Sequence, residues 1–391
     1  MTQRLGIYVD DVFVVDERDG HRRISVDRAF LLFASEVGRH FAGRAVFGRT
    51  LHRAPPSDYE LPPDVELIEL PHYSSLFRVT EVLRAAPGTI SAFWRGVDGL
   101  DVVWAFGPHP FAIPLVLVGA LKRKRVVLGV RQDTLGYYRH RLPNRAWTPV
   151  LGAIWVFDVT YRLLARRLPT TVVGSAVAAH YGGEQGTRLT MTATLMRPAS
   201  VVESPPDRDW SGPIHLLTVG RLDTEKNPML LLDAMRRLED ERPGRYRLVW
   251  VGRGPLEGEI RDRIAELGLD GVVELRGYVP FGEQLLALYR RAHAFVHVSR
   301  TEGLPQVLIE ANASGIPVVG TNVGGVAAAL EDGNAGWLVP PDDLGALVEG
   351  ITRVTDDGAL RERLVARGLE LARERTLDVE AERVAAFVAG T

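Results

Sequence analysis

Strand-like and helix-like segments alternate along the whole of this 391-residue chain, and this alternation is what most constrains its fold. Apolar runs of strand length are followed by stretches with the length and periodicity of helices, which is the pattern of parallel α/β layers. One hydrophobic core rarely serves a chain of this length, and two domains of about 150–200 residues suit it better. The sequence therefore predicts an α/β protein built from two parallel-sheet domains.

The predicted elements divide into two halves. In the first half the expected strands are Leu5 to Val9, Val65 to Leu70, Val102 to Ala105, Val126 to Val130 and Thr171 to Val173, and the expected helices are Phe30 to Phe41 and Pro110 to Leu121. In the second half the expected strands are Ile214 to Val219, Tyr246 to Val251, Val272 to Leu275, Ala294 to Ser299 and Pro317 to Gly320. Turn formers concentrate at 204–213, which predicts a linker between domains 1–203 and 214–375, followed by a final amphipathic helix within 376–391.

Composition narrows the class of protein. The chain has no cysteine, which excludes disulfides, a thiolate nucleophile and cysteine-based metal sites. The N-terminus runs directly into a predicted strand and no apolar run reaches the ~18 residues of a membrane span, so we expect a cytoplasmic protein.

Residues 1–200 carry 25 basic and 18 acidic side chains, and residues 201–391 carry 22 and 31. With a net charge of −2 we expect no nucleic-acid partner. The basic half could meet an anionic acceptor or a membrane surface, unless its charges are simply scattered.

Two glutamates, Glu302 and Glu310, lie on either side of a Gly-containing turn between a predicted strand and a predicted helix at Val307 to Ser314. Such a unit aims free backbone N–H groups and the positive end of the helix dipole at an anion. The flanking carboxylates repel phosphate but accept hydrogen bonds from hydroxyls. The pattern fits a ligand with phosphates in its middle and polyols at both ends, and a nucleotide-sugar is such a ligand. The alternative is ordinary acidic decoration of a helix start, but the later turn Gly324-Gly325 makes the pattern more specific.

A second candidate site follows the first strand of the second half, in the segment Gly220-Arg-Leu-Asp-Thr-Glu-Lys226. Asn227 before Pro228 predicts a helix N-cap with proline at the first helical position. Arg221 and Lys226 would then lie at the carboxyl end of a strand, where open α/β sheets bind ligands. The chain has three lysines against 44 arginines, so a lysine here indicates a need for a compact ammonium. The alternative is two solvated surface charges.

Other patterns resemble functional sites but are incomplete. The segment Gly252-Arg-Gly254-Pro-Leu-Glu-Gly258 imitates a dinucleotide fingerprint, yet its last glycine is one position late and Pro255 lacks an N–H. It predicts a tight strand–helix turn beside a nucleotide. Two pairs have the spacing of metal ligands, Asp207 with Asp209 and His293 with His297. The first lies in the predicted linker and the second in a predicted strand without a zinc-protease glutamate, so we expect no metal site.

Three loops of the first half follow predicted strands and are candidates for an acceptor site: Asp10-Asp11, Gly107-Pro-His109 and Arg131-Gln-Asp133. Each alone is usually a solvated loop, but together they would face the second domain. A different role concerns the basic cluster Lys122 to Arg125 and the residues Arg139, Arg141, Arg145, Trp147, Trp155 and Tyr161. These could touch an anionic membrane. The same segment also suits a packed helix, which we favour.

The motifs Gly-Arg-x4-Lys-Asn at 220–227, Gly-x-Gly-Pro at 252–255, Glu-Gly-Leu-Pro-x4-Glu at 302–310 and Gly-Gly at 324–325 together resemble the donor-binding half of glycosyltransferase family 4. Members of that family are retaining enzymes with the GT-B fold, in which two Rossmann-like domains carry parallel sheets that face a central cleft. The resemblance covers residues 214–345. In the first half it rests on the alternation and order of the elements.

The resemblance implies a role for each matched position. Arg221 and Lys226 would bind the donor diphosphate and stabilise the departing nucleoside diphosphate. Glu302 would hold sugar hydroxyls and Glu310 the ribose hydroxyls. The other implied donor contacts are Gly220, Gly252, Gly254, Gly277, Tyr278, Gly303 and Leu304. No metal and no resident cofactor is implied, since the nucleotide-sugar is a co-substrate, and the final helix would pack back on the first domain.

The first half departs from the family pattern. Asp10 to Asp16 replaces a Gly-Gly loop, and Arg131 takes the place of a histidine that many members carry, with Asp133 two residues on. His109, Arg131 and Asp133 are this half's catalytic candidates. The resemblance implies a retaining, metal-independent transferase that moves a sugar from a UDP- or GDP-sugar to a hydroxyl of a natural product, glycan or lipid-linked acceptor. The alternatives are a nucleotide-sugar epimerase or phosphorylase, a non-catalytic nucleotide-binding partner protein, and, as the weakest, an NAD oxidoreductase.

Overall fold

The computed structural model describes residues 1–18, 21–52, 55, 57–131, 148–183 and 186–391. They form two compact units, Met1–Leu195 with Leu377–Thr391, and Met196–Thr376. Residues 204–213, expected to be a linker, belong to the second unit. There the Arg208 guanidinium donates to the carbonyl oxygens of Gly315 and Arg290, each at 3.3 Å.

The first unit is built from nine strands and six helices within the described residues. Its strands are β1 (Arg4–Arg18), β2 (His21–Val26), β3 (Gly43–His52), β4 (Tyr59–Glu60), β5 (Val65–Leu70), β6 (Val102–Gly107), β7 (Arg125–Val130), β8 (Thr170–Val173) and β9 (Arg188–Met191). Its helices are α1 (Phe30–Gly38), α2 (Val79–Gly96), α3 (Ala112–Leu121), α4 (Thr148–Leu164), α5 (Ser175–His180) and, from the end of the chain, α13 (Leu377–Ala389).

Parallel strands of the first unit lie in the order β5-β3-β1-β6-β7-β8-β9, and β2 and β4 extend the sheet in antiparallel fashion beside β1. The prediction that β1 ends at Val9 was wrong. Its register with β3 shifts between Tyr8 and Val12, and beyond this bulge the strand continues to Arg18. The run Val12-Phe-Val-Val15 is β-branched and aromatic, which favours an extended strand over a loop.

Helices α2 and α3 pack against this sheet over a core that includes Tyr8, Phe47 and Phe93. The sequence did not predict α2, because Pro87 and Gly88 interrupt its helical pattern. Helix α13 belongs to the same unit. Its Glu380 carboxylate accepts a hydrogen bond from the Thr192 backbone N–H at 3.0 Å.

The second unit has its own strands and helices. Its strands are β10 (Ile214–Val219), β11 (Tyr246–Val251), β12 (Val273–Gly277), β13 (Ala294–His297), β14 (Val318–Thr321) and β15 (Trp337–Val339). Its helices are α6 (Pro228–Glu241), α7 (Glu257–Glu266), α8 (Glu283–Arg291), α9 (Gln306–Ala313), α10 (Val326–Ala329), α11 (Leu344–Asp356) and α12 (Gly358–Glu374).

All strand pairs of the second unit are parallel, in the order β12-β11-β10-β13-β14-β15. In chain order this is 3-2-1-4-5-6, the arrangement of a Rossmann fold, and it reverses direction between β10 and β13. Apolar side chains of β10, β11 and α6 fill one core of the unit. Ligands of such sheets bind at the carboxyl ends of the strands beside the reversal, which is where both sequence motifs lie.

One local prediction at this edge was wrong. Helix α6 does begin with Pro228, but Asn227 makes no side-chain cap and adopts a left-handed conformation with φ 48° and ψ 52°. Its amide instead donates to Asp342 Oδ1 at 2.8 Å. Among the helices of the described ranges, none has the length and apolar character needed to span a bilayer.

Candidate functional site

At the carboxyl edge of the second sheet, the backbones of neighbouring loops approach each other closely. A Cβ atom on Gly252, where φ is +149°, would lie 1.9 Å from the Gly220 carbonyl oxygen. A Cβ atom on Gly324, where φ is +50°, would lie 1.9 Å from the Glu302 carbonyl oxygen. Only glycine fits at either position. The two glycines therefore hold the loops that carry Lys226 and Glu302 in place.

The centre of this edge is an ion pair between Lys226, from the loop after β10, and Glu302, from the loop after β13. The Lys226 ammonium donates to Glu302 Oε1. Two further donors reach the same oxygen: Ser299 Oγ at 2.8 Å and His297 Nε2 at 3.0 Å. The side chains of Lys226 and Glu302 are 20% and 10% exposed, so the pair is largely shielded but still reached by solvent.

These donors fix the charge of Glu302. Burial by itself raises the pKa of this carboxyl, but the Lys226 ammonium and the hydrogen bond from His297 lower it well below its ordinary value. Glu302 is therefore ionised throughout the physiological range. All three donors meet at Oε1, so Oε2 remains outside this cluster as a further acceptor.

The second glutamate of the motif lies deeper. Glu310 is on α9 and is buried, and the Tyr289 hydroxyl of α8 donates to its Oε2 at 2.8 Å. Burial raises the pKa of Glu310 to about 7, and the hydrogen bond from Tyr289 only partly opposes this. The two glutamates of the motif therefore differ in charge: Glu302 stays ionised, whereas Glu310 exchanges its proton near pH 7.

The other predicted donor contacts lie around this edge. Arg221 is 53% exposed and pairs with Glu225 and, at 3.7 Å, with Asp223. Gly277 ends β12, and its carbonyl accepts from the Gly252 N–H at 2.8 Å. Tyr278 follows and is 41% exposed. The remaining positions, Gly220, Gly254, Gly303 and Leu304, belong to loops at the same edge: Gly220 follows β10, Gly254 follows β11, and Gly303 and Leu304 follow Glu302.

In the first unit the structure brings together residues that the sequence analysis named separately. Asp10 lies in the bulge of β1, and His109 Nε2 is 3.1 Å from its Oδ2. His109 Nδ1 accepts from the Phe111 N–H at 3.3 Å and from the Tyr8 hydroxyl at 2.9 Å, which leaves the ring proton on Nε2, facing Asp10. Both ring nitrogens are thus engaged inside the unit.

Asp10 also binds Arg49 from β3, with Nε 2.9 Å from Oδ1, and accepts from the Tyr73 hydroxyl. Although burial raises the pKa of Asp10, His109 and Arg49 lower it well below its ordinary value. The predicted loop residues Asp10 and His109 thus belong, with Arg49 and Tyr73, to one charge-balanced network beside the bulge of β1.

Asp11 forms a second cluster. It is buried, and its carboxylate lies 3.1 Å from Arg28 Nη1 and 3.8 Å from Arg131 Nη1. Burial raises the pKa of Asp11, and the two guanidinium groups only partly offset this. Arg131 also lies over the Phe30 ring, 4.7 Å from its centroid. Asp133 falls outside the described residues.

Several site residues were missed from the sequence or assigned a different role. His297 was considered only as a metal ligand, and its position at the carboxyl end of β13 was the available signal. Its supposed partner His293 is held elsewhere, with Nδ1 accepting from the His215 N–H at 3.1 Å and Nε2 donating to the Asp209 carbonyl at 3.2 Å. Ser299 and Tyr289 had no distinguishing local pattern. Within the described ranges, no group of three or more histidine or acidic side chains is arranged to hold a metal ion.

Comparison with known proteins agrees with this geometry. Residues 205–370 match the family described as "Glycosyl transferases group 1". The matched region lies within the second unit. It contains Lys226, Glu302 and Glu310, the three side chains around which the edge of the second sheet is organised. A curated relative, the "Putative colanic acid biosynthesis glycosyltransferase WcaL" of Salmonella typhimurium, is 36% identical over 142 residues, which cover 34% of this chain and 34% of that protein.

Solved structures extend the likeness to both units. Sucrose-phosphate synthase of Thermosynechococcus elongatus has a TM-score of 0.70 at 19% identity, covering 98% of this chain and 97% of that one. HepE of Anabaena, solved in complex with UDP and glucose, has a TM-score of 0.68 at 15% identity and full coverage of both chains. The protein has the α/β GT-B fold. The sequence relatives, by contrast, are matched over only about a third to a half of their own length.

Proposed function

We propose that this protein is a glycosyltransferase that moves a sugar, with retention of configuration, from a nucleoside-diphosphate sugar to a hydroxyl group of an acceptor. The observation that carries the proposal is the Lys226–Glu302 pair at the carboxyl edge of a 3-2-1-4-5-6 sheet, flanked by close-packed glycine loops. The pair offers a cation and a hydroxyl-accepting carboxylate side by side, as a diphosphate joined to a sugar requires.

In this proposal the donor rearranges the ion pair. The diphosphate takes hydrogen bonds from the Lys226 ammonium and from Arg221, while Glu302 accepts hydrogen bonds from sugar hydroxyls. When the bond between the sugar and the diphosphate breaks, negative charge accumulates on the departing phosphate oxygen. A fixed ammonium aimed at that oxygen stabilises the transition state more than the ground state. Backbone N–H groups of Gly303 and Leu304 add dipoles of the same sign.

The nucleoside end would extend toward Glu310 and β12. Glu310, with its raised pKa, loses its proton when ribose hydroxyls donate to it, since hydrogen bonds to the ionised form favour that form. The base would lie by Gly277 and Tyr278, and Gly220, Gly252 and Gly254 would let the backbone approach the ligand. We further propose that no resident cofactor and no metal is used, because Arg221 and Lys226 supply the positive charge. The family resemblance supports this assignment.

Known relatives support the donor class and suggest an acceptor class. HepE of Anabaena was solved with UDP and glucose, so a uridine nucleotide is the first donor to test. WcaL is named for colanic acid biosynthesis, which is consistent with a glycan or lipid-linked acceptor. On the acceptor side we propose His109 and Arg131 as positioning residues, since each is tied to an aspartate of the β1 bulge. A role for Asp133 and a cytoplasmic location remain predictions.

Thermal denaturation with UDP, GDP, ADP, TDP or NAD in separate samples tests the donor site. Ligand at about 100 times its dissociation constant adds ~2.7 kcal/mol, which raises the melting temperature by a few degrees. We expect a shift with one nucleoside diphosphate that disappears in Glu310→Ala and persists in Glu283→Ala, a control on an exposed carboxylate of α8. A shift with NAD alone, or none with any nucleotide, would contradict the proposal.

The reaction itself separates the alternatives. Incubation with the matching nucleotide-sugar and an acceptor library should give a glycoside whose anomeric configuration, measured by NMR, is that of the donor. It should also proceed in the presence of EDTA. An altered sugar without transfer would indicate an epimerase, and phosphate-dependent release of a sugar phosphate would indicate a phosphorylase. Nucleotide binding with neither transfer nor slow donor hydrolysis would indicate a non-catalytic partner protein.

A further inference from the structure

The first unit carries an apolar surface that its own fold does not cover. Helix α2 exposes Val79, Leu83, Ile90 and Trp94, and helix α3 exposes Leu117 and Leu121. The exposed fractions reach 66% for Leu83 and 72% for Leu121. We call these six side chains the α2–α3 face. Monomeric proteins rarely expose several large apolar side chains together unless the surface binds something.

The positions on α2 form one stripe rather than a scatter. Residues 79, 83, 90 and 94 recur at intervals of four, seven and four, which returns to the same side of a helix. A neighbouring side of α2 is already used, because Ala85, Thr89 and Phe93 are buried in the unit. The helix therefore has two apolar sides, and only one of them is needed to fold the unit.

The two helices join at their carboxyl ends. Lys122, which directly follows Leu121, donates to the Trp94 backbone carbonyl and places its ammonium 4.5 Å from the centroid of the Trp94 ring. This contact places the carboxyl end of α3, with Leu121, beside Trp94 near the carboxyl end of α2.

Basic side chains border this face. Arg84 and Arg95 follow Leu83 and Trp94 directly on α2 and form a parallel, exposed row. Lys122, Arg123 and Lys124 follow the end of α3. The Lys122 ammonium is paired with Asp98 and its side chain is 12% exposed, so Arg123 and Lys124 supply the margin at this end. An apolar centre with a cationic margin matches the interface of an anionic bilayer, where apolar side chains enter the acyl boundary and cations meet the headgroups.

We propose that the α2–α3 face docks this protein on the surface of an anionic lipid bilayer. The surface shares Lys122, Arg123 and Lys124 with the one suggested by the sequence and otherwise differs from it. Tyr161 is buried, and Arg139, Arg141, Arg145 and Trp147 lie outside the described residues. None of its members belongs to the donor site, so this inference stands apart from the proposed activity and either can fail alone.

Flotation with vesicles tests the proposal directly. The purified full chain should float with vesicles of phosphatidylcholine and phosphatidylglycerol, and much less with phosphatidylcholine alone. Raising the salt to about 0.5 M should reduce the bound fraction, since the Debye length falls below ~5 Å. The double variant Leu83→Glu, Leu121→Glu should bind at least about tenfold more weakly, because both side chains lose their apolar burial. Removal of one margin cation in Lys124→Ala should weaken binding about fivefold.

The matched control is Val379→Glu on α13, which changes an apolar side chain of the same unit that is 47% exposed and lies outside the face. It should float as the wild type does. All variants should keep the wild-type melting temperature and nucleotide response, which shows that they are folded. Absent flotation of the wild type, or equal losses in the control and the double variant, would overturn the proposal. So would a wild-type dimer that the double variant makes monomeric without any vesicle binding, since the face would then join two copies of the chain.

Discussion

Both units place charged side chains beside their parallel strands, but the charges have different partners in the two units. In the second unit, Lys226 and Glu302 face each other between glycine loops and remain within reach of solvent. In the first unit, Asp10 contacts the buried side chains of Arg49, His109 and Tyr73, and Asp11 is itself buried beside Arg28 and Arg131. In the proposed function, a ligand exchanges partners with the ion pair of the second unit. The charged side chains of the first unit instead bind one another and support that unit's own loops.

This difference follows from how each edge is covered. The glycine contacts of the second unit bring loop backbones together without side chains between them. The bulge of β1 instead buries Asp11 and places Asp10 against the buried side chains of Arg49 and His109, and buried charges require a partner or a donor. Under the proposed function, we expect residues around these networks to select the acceptor, with the networks acting as supports.

The largest expected effect comes from breaking the buried network of the first unit. Asp10→Asn removes the charge opposite Arg49 and should lower the free energy of unfolding by about 3–5 kcal/mol, because a buried cation loses its partner. Since the pKa of Asp10 is lowered in the folded state, its contribution is present above the ordinary carboxyl pKa and is lost as the pH falls through the folded value. The variant should therefore show less acid sensitivity than the wild type. Urea denaturation between pH 3 and pH 7 measures both effects.

The control for Asp10 is Glu66→Gln in the same unit, which breaks an exposed ion pair with Arg4 and should cost at most about 1 kcal/mol. UDP or GDP affinity of the second unit should be unchanged in both variants. Equal destabilisation by the two changes would mean that the two sheet edges do not differ as described.

Lys226→Ala should produce the next largest effect, which we expect on the rate of catalysis. Loss of the ammonium should lower kcat by about 10²–10³, or roughly 3–4 kcal/mol of transition-state stabilisation, with a smaller change in KM. The matched control is Arg237→Ala, which removes an exposed cation of α6 paired with Glu241. Steady-state kinetics with the nucleotide-sugar distinguishes them. A rise in KM with unchanged kcat would show that Lys226 binds the ground state and transition state equally.

Glu310→Gln tests the electrostatic contrast between the two glutamates of the motif. Because the folded-state pKa of Glu310 is raised to about 7, its stabilising protonated state is complete below the unfolded pKa and is lost as the pH rises through 7. Between pH 5 and pH 8 the wild type should lose on the order of 2–3 kcal/mol through this group, and the variant should not. Urea denaturation at the two pH values measures the difference.

Nucleotide binding should show the opposite pH trend in the wild type. Ribose hydroxyls favour ionised Glu310, so affinity should rise as the pH increases through 7, whereas Glu310→Gln should bind more weakly and without that dependence. The control Glu283→Gln changes an exposed carboxylate of α8 and should follow the wild type in both measurements. A pH-independent wild type would show that Glu310 is already ionised.

The smallest expected effect tests the support of Glu302. Ser299→Ala removes a 2.8 Å hydrogen bond to Glu302 Oε1 and should cost about 1–2 kcal/mol in affinity for the nucleotide-sugar. Affinity for the nucleoside diphosphate should stay the same, because Glu302 is proposed to contact the sugar. Ser314→Ala is the control: it is also a buried serine of the second unit, but its Oγ has no hydrogen-bond partner in the part of the chain the structure describes. Calorimetric titration with both ligands separates the two roles.

Local sequence patterns were sufficient to predict the bounds of several strands and helices in the second unit. Strands β10 and β11 have the predicted bounds, and α9 begins and ends within one residue of its predicted range. These elements combine apolar periodicity with glycine and proline at their ends, signals that act within a few residues. In the first unit, Pro87 concealed α2, and the aspartates of the β1 bulge were mistaken for a loop because short polar residues usually end a strand.

The sequence by itself determined the fold class, the two donor motifs and the identity of Lys226, Glu302 and Glu310. The tertiary structure alone decided what these groups do to one another. It paired Lys226 with a glutamate 76 residues away, placed Tyr289 on Glu310, and joined Asp10 to His109 across 99 positions. A pKa depends on charges and burial within a few ångströms, and only the folded chain brings residues this distant in sequence to such distances.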